Sequence, residues 1–170
     1  MSHDYSEEKL VQDSACDVLQ NKLGWKVLYA YKSEKLGVDG TLGRTSYKEV
    51  LLTRYIREAL KRLNPWMNEQ QIIEAITKLT RRISTASLLQ INEEKYIYLR
   101  DGIPVTVKRS DGRTEIKKAV IIDFNNAHNN EFLVVKELII RGDLYNRRAD
   151  IVGFVNGIPL LFIEAKRPDI

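Results

Sequence analysis

One cysteine, two histidines and four prolines in 170 residues exclude several classes of protein at once. Cys16 has no partner in the chain, so a disulfide scaffold is ruled out and a reducing compartment is favoured. It lies in a helical pattern between Ala15 and Val18 and reads as core. His3 and His128 fall in a terminus and a polar loop, without the spacing to Cys or a second His that zinc requires. No apolar run approaches the roughly 20 residues that span a bilayer, and Met1 to Glu8 contains no apolar signal region. The expectation is a cytoplasmic protein without a membrane partner.

What is present suits an ordinary globular chain, with 44% apolar and 29% charged residues and neither repeats nor low-complexity stretches. One domain over residues 1–170 is expected. The net charge of +4 permits polyanion binding without demanding it. Basic residues gather at Arg54, Arg57, Lys61, Arg62, Lys78, Arg81 and Arg82, and again at Lys108, Arg109, Arg113, Lys117 and Lys118. Each group is either a phosphate-contacting surface or a solvated face. Trp25, Trp66 and the tyrosines do not cluster on one element and read as core and rim rather than base-stacking platforms.

Apolar spacing predicts a first helix over residues 5–23, opened by an Asp4-Tyr5-Ser6-Glu7 capping box and closed by Gly24. A short strand over 25–31 follows, then a glycine-marked loop at Gly37, Gly40 and Gly43. Helices are predicted from Tyr47 to Leu63, stopped by Asn64-Pro65, from about Asn68 to Arg82, and from Ser84 to Asn92. Tyr96 to Leu99 is compatible with a strand or a helix end. Beyond Asp101-Gly102, strands are predicted at Pro104 to Lys108 and Lys117 to Phe124, and three more at about 131–140, 148–155 and 159–166. The order implies an α+β fold, with an N-terminal helix, a helical insertion and a mixed, mainly antiparallel sheet.

The closing strand carries the chemistry. Pro159 to Ile163 is apolar and runs straight into Glu164-Ala165-Lys166, while Asp150 stands at the start of the preceding strand. If that strand is buried on both faces, its charges need partners, because an unpaired buried charge costs several kcal/mol, roughly. A metal is one such partner. The carboxylates of Asp150 and Glu164 and the Ala165 carbonyl form an oxygen set suited to Mg²⁺, which would polarise a phosphate and activate a water, with Lys166 beside it. The bland alternative is that Arg147, Arg148, Lys166 and Arg167 simply pair with the two acids at a strand edge.

Spacing does not choose between these, because Asp101, Glu115 and Lys117 repeat it in a polar hairpin setting. Register does. A two-residue turn at Asn156-Gly157 would pair Val155 with Ile158 and leave Asp150 and Glu164 on opposite faces. A three-residue connection or a bulge would pair Val155 with Pro159 and Asp150 with Glu164, so that longer connection is expected. Opposite faces would exclude the metal reading.

Arg148-Ala149-Asp150 followed by Leu161-Phe162-Ile163-Glu164-Ala165-Lys166-Arg167-Pro168 closely resembles the PD-(D/E)xK nuclease domain of type I restriction enzyme R subunits. The first helix running into Leu23-Gly24-Trp25 is similar to the opening of that domain. The resemblance brackets residues 5–168, less distinctively over 44–92. It implies a restriction-endonuclease-like fold and Mg²⁺-dependent cleavage of double-stranded DNA, with Asp150, Glu164 and Lys166 as the catalytic set and Asp150, Glu164 and Ala165 as metal ligands. Glu8, or Glu7, is a candidate for the additional acid that many such nucleases use. In the full subunit the resemblance further implies an ATP-driven motor and partnership with modification and specificity subunits.

The chain departs from the pattern at Ala149, where the superfamily has proline, and ends four residues after Lys166. Family members continue into a helix with a Gln and Tyr motif and then into the motor. No G-x-x-x-x-G-K-[ST] occurs, so ATP binding by a P-loop is not expected of this chain. The expectation is therefore a fragment of a longer subunit. Two alternatives stay open: a nuclease-fold module that docks DNA or partner subunits without cutting, and a different DNA nuclease of the superfamily.

Overall fold

The computed structural model describes residues 7–31, 33–81, 87–142 and 145–165. The expected capping box at Asp4, together with His3, Arg82, Lys166, Arg167 and Pro168, lies outside them, and so do the side chains of Glu7 and Glu8. Among the described residues the order is α1 (Glu7–Asp17), a π-helical turn (Val18–Lys22), β1 (Lys26–Tyr29), α2 (Thr53–Leu63), α3 (Glu69–Thr80), α4 (Leu88–Asp101), β2 (Ile103–Lys108), β3 (Thr114–Ala119), β4 (Phe132–Arg141), β5 (Asn146–Val155) and β6 (Ile158–Ile163). The α+β class and the mixed, mainly antiparallel sheet are as expected: β1-β4-β5-β6, with β1 parallel to β4 and the other pairs antiparallel.

The chain divides into two compact units, residues 1–54 with 131–170, and residues 55–130. The second holds the helical insertion and the separate β2–β3 hairpin. α3 and α4 start where side chains satisfy orphan N–H groups: Asn68 with Gln71 and Ser87 with Gln90 form reciprocal capping boxes. The second of these starts α4, which runs on through the undecided 96–99 segment to Asp101, so the predicted 84–92 helix and that segment are one helix. Asn64 ends α2 and stays buried because its side chain copies a strand neighbour, accepting from Val120 N at 2.8 Å and donating to Val120 O at 2.7 Å.

Two other expectations need correction. The predicted helix from Tyr47 begins only at Thr53, because the backbone of 47–52 has partners elsewhere: Tyr47 O accepts from Arg141 N and Leu52 N donates to Gly157 O. The strand predicted over 117–124 is instead 114–119, paired in unbroken register with 103–108.

In the first unit α1 lies across one sheet face, where Cys16 and Leu19 pack with Val134 and Ile151 and against Val27, Leu161 and Ile163. Gly153 lets Trp25 cross this face, since a Cβ there would sit 2.8 Å from the indole. Strand alternation places Val135, Arg148, Asp150, Val152 and Phe162 on the opposite face. From the end of β1 to Leu52 the chain runs as an irregular segment held to β4 by Arg44. This arginine is fully buried, forked onto Glu34 at 2.6 Å, and bonded to Ile139 O at 2.8 Å.

Candidate active site

The β5–β6 hairpin decides whether the two acids meet. Its turn is the short one: Val155 pairs with Ile158, and Asn156 and Gly157 both take positive φ, 51° and 83°. The expected three-residue connection is therefore absent. A bulge does its work three residues later, where Gly153 pairs with Leu161 and Phe154 with Pro159, leaving Leu160 as the extra residue. From there Val152 pairs with Phe162 and Ile151 with Ile163, a register that, continued one residue past the end of β6, puts Asp150 and Glu164 on one face. The short turn survives because Asn156 is anchored through both its backbone and its side chain: its N–H donates to Glu131 O, and its side-chain oxygen accepts from Glu131 N, each at 2.8 Å.

Asp150 is 7% exposed, and its Oδ2 accepts a hydrogen bond from Ala165 N at 2.8 Å. The chain immediately after β6 is thus drawn back over the aspartate, which brings Ala165 to the same place. Glu164 is exposed and makes no hydrogen bond or ion pair among the described residues. The closing strand itself is not buried on both faces as expected. It is the edge strand, with Leu160 51% and Phe162 61% exposed, so the face that carries Asp150 and Glu164 opens to solvent at this edge.

The bland pairing is only partly available. Arg148, two residues before Asp150, is engaged elsewhere: Nη1 lies 3.5 Å from Glu137 Oε1 and the guanidinium stands 5.0 Å from the Tyr31 ring centre. Lys166 and Arg167 lie outside the described residues. Among those described, no group of three or more His, Cys, Asp or Glu side chains is placed to hold a metal. What the structure does place is the Ala165 N–H on Asp150, with Glu164 next to Ala165 in the chain just beyond the end of β6.

Sequence reading misses Glu137. The β4–β5 register sets it across from Asp150 on the other side, and its φ of 55° is a conformation non-glycine residues seldom adopt. Its carboxylate also accepts from the Tyr29 hydroxyl, and this bond, ahead of burial, pushes the phenol pKa up to about 12. A signal for it does exist: Lys136-Glu137 interrupts the apolar run Phe132 to Ile140, much as Glu164 ends the apolar run of β6. Lys136 itself serves the other face: it is buried and paired with Asp13 on α1. Beside that pair Cys16 is buried as expected, and desolvation pushes its thiol pKa up.

The rival constellation is decoration, as expected. Asp101 ends α4 and pairs with Arg100 at 2.6 Å, while Glu115 is 3.6 Å from Arg109 and 3.4 Å from Lys117. Much of the helical basic group is also consumed structurally. Arg57 and Lys61 share Glu69, Arg62 bonds Asn129 O, and Lys78 bonds Glu74 and Pro104 O. Arg54 bonds the carbonyls of Gly40 and Thr41 in the glycine-marked loop.

Comparison with known proteins agrees with this architecture. A family model for the type I restriction enzyme R protein N terminus matches residues 4–170. The chain is 33% identical over 147 residues, 86% of its length, to the type I restriction enzyme HindI endonuclease subunit of Haemophilus influenzae. It is 30% identical over 166 residues, 96% of its length, to the putative type I restriction enzyme MjaIXP endonuclease subunit of Methanocaldococcus jannaschii. It covers 14% and 15% of those two proteins. The chain belongs to the family of type I restriction enzyme R protein N-terminal domains.

Proposed function

We propose that this chain is the DNA-cutting part of a type I restriction R subunit, a Mg²⁺-dependent endonuclease domain of the PD-(D/E)xK kind acting on double-stranded DNA. The single observation that supports this most is the bulge at Leu160, which puts Asp150 and Glu164 on one face and lets Ala165 close on the aspartate. The same extra residue keeps Leu161 and Ile163 on the α1 face. The short turn alone would give a regular ladder.

The donors are all oxygens, which fits a hard divalent cation such as Mg²⁺. Asp150 and Glu164 would hold it with the Ala165 carbonyl, and when bound it would supply Lewis acidity and a lowered pKa for a water. Asp150 is pre-positioned by the Ala165 N–H, whereas Glu164, free of partners among the described residues and exposed, can swing to meet metal and substrate. Lys166, two residues beyond Glu164, is assigned the task of orienting the attacking water or countering charge on the phosphate. The buried sheet behind Asp150, with Val152 and Val135, keeps bulk water from that side of the carboxylate. Motor activity with ATP, and assembly with modification and specificity subunits, are proposed for the longer protein that the relatives represent.

The test is plasmid cleavage by this chain and by a version extended beyond Ile170, with Mg²⁺ and with Asp150→Asn and Lys166→Ala as controls. Cleavage that requires Mg²⁺ and both residues is expected. Absence of metal-dependent cleavage in both forms, with motor and partner subunits supplied, would leave the docking-module reading in its place.

A further inference from the structure

We propose that Arg141 and Arg148, each stacked on a tyrosine from the irregular segment after β1, form the track that holds the DNA backbone leading into the candidate active site. The identity of the polyanion rests on the nuclease reading above. The geometry is independent of it. Arg141 pairs with Asn146 and Arg148 with Ile139 in a β4–β5 register that is in phase through Asp150, so both side chains share the Asp150 face. Residues two apart on a strand are about 6.6 Å apart. Asn146, Arg148 and Asp150 therefore step along the strand at intervals comparable with neighbouring phosphates of one DNA strand.

Each guanidinium is held in place. The Arg148 guanidinium lies 5.0 Å from the Tyr31 ring centre, and that of Arg141 lies 4.8 Å from the Tyr47 ring centre. Tyr47 is fixed in turn: its carbonyl accepts from Arg141 N at 3.0 Å, and the buried Arg44 stands 5.3 Å from its ring. A guanidinium stacked on a ring keeps its edge N–H groups for another acceptor, and that edge fits a phosphate in two-pronged fashion. Arg141 is exposed, and the Arg148 side chain is 45% exposed, its contacts among the described residues being the Tyr31 ring and Glu137 Oε1 at 3.5 Å. The glycine-marked segment thus acquires a purpose: it carries Tyr31 and Tyr47 to the arginines. The helical basic group offers no comparable edge, since Arg57 and Lys61 share Glu69.

Binding of a labelled 20-base-pair duplex by the chain, with Ca²⁺ replacing Mg²⁺ to suppress cleavage, tests this over a range of salt. Arg141→Ala and Arg148→Ala are each expected to weaken binding roughly fivefold to tenfold. Each should also reduce the slope of log affinity against log salt by about 0.9. Arg57→Ala with Lys61→Ala should leave both quantities in place. Arg148→Lys should recover the salt slope but only part of the affinity, and Tyr31→Leu should mimic that loss without changing charge. Thermal melts of Arg141→Ala and Tyr31→Leu establish that the fold is retained.

Wild-type affinity and slope in both arginine variants would overturn the proposal, even alongside intact Asp150-dependent cleavage, and the nuclease reading would then stand alone. No measurable duplex binding by the wild-type chain would also overturn it. Arginine-dependent binding without any Mg²⁺-dependent cleavage would uphold the track and remove the nuclease reading.

Discussion

Asp150 and Glu164 share one face because Leu160 is one residue more than the β6 ladder needs. Deleting Leu160 should move Glu164 to the α1 face, since a one-residue slip reverses every side chain beyond it. Leu161 and Ile163 would turn out of the α1 core at the same time, so a stability loss of about 1–3 kcal/mol is expected. Glu164→Gln is the companion that keeps the register. Both variants should lose cleavage and the Mg²⁺-linked rise in melting temperature, which for the wild type would be worth about 2.7 kcal/mol at 100 times the dissociation constant. Retained Mg²⁺ response in the deletion, seen by thermal melts, would show that the facing register does not matter.

How far the site is legible from sequence follows from these same residues. Apolar runs locate β4, β5 and β6 to within a few residues, because much of β4 and the second half of β5 are buried without alternation and β6 packs Leu161 and Ile163 on α1. The chemistry of Asp150 and Glu164 stands out for the same reason, as charge set into apolar sequence. The bulge is not legible in position: Pro159 and Leu160 look like ordinary strand residues, while the short Asn156-Gly157 turn that the bulge offsets is both an Asn-Gly signature and anchored to Glu131. Residues 47–52 read as helix because Val50 and Leu51 continue the helical stripe, while the partners that hold the backbone out of a helix come from Arg141 and Gly157, far along the chain. Basic residues on α2 read as free surface because sequence does not reveal that Glu69 serves two of them.

Arg44 and Glu34 form an ion pair whose side chains are 0% and 2% exposed. Removing one partner leaves the other charge buried, which typically costs about 3–5 kcal/mol. Arg44→Met should therefore destabilise the first unit strongly in urea melts. Since Arg44 also ties the segment after β1 to Ile139 and flanks Tyr47, this variant should weaken DNA binding as well. The double variant Arg44→Met with Glu34→Leu removes both charges and should recover much of the stability. Equal destabilisation in single and double variants would show that packing, not charge, dominates there.

Gly153 and Trp25 are in closer contact than any side chain on residue 153 would allow. The Leu161 side chain closes the other side, 2.9 Å from where a Cβ on residue 153 would lie. Gly153→Val should overfill the α1 face and cost about 1–3 kcal/mol. It should also displace the indole from Phe132, whose ring centre is 5.0 Å away, and shift the tryptophan emission toward that of an exposed indole. Unchanged emission and stability would mean that α1 and Trp25 move aside at little cost.

Tyr29 reports on Glu137, the acid across from Asp150. Its pKa is pushed up to about 12, first by the hydrogen bond to Glu137, then by burial and by the charge of that carboxylate, while Arg148 pulls it down. The fold thus favours the protonated phenol. Whatever stability this gives is fully present below the unfolded value of about 10 and disappears as the pH rises through 12. Because the ring is 49% exposed, solvent screens the effect, and titration is a better measure than stability. Ultraviolet difference spectra should show a late tyrosine ionisation that vanishes in Tyr29→Phe and moves back toward 10 in Glu137→Gln. In Arg148→Ala the same step should move further up, since the lowering charge has gone. A downward shift in Arg148→Ala would mean that the arginine holds Glu137 toward Tyr29 and that the hydrogen bond fails without it.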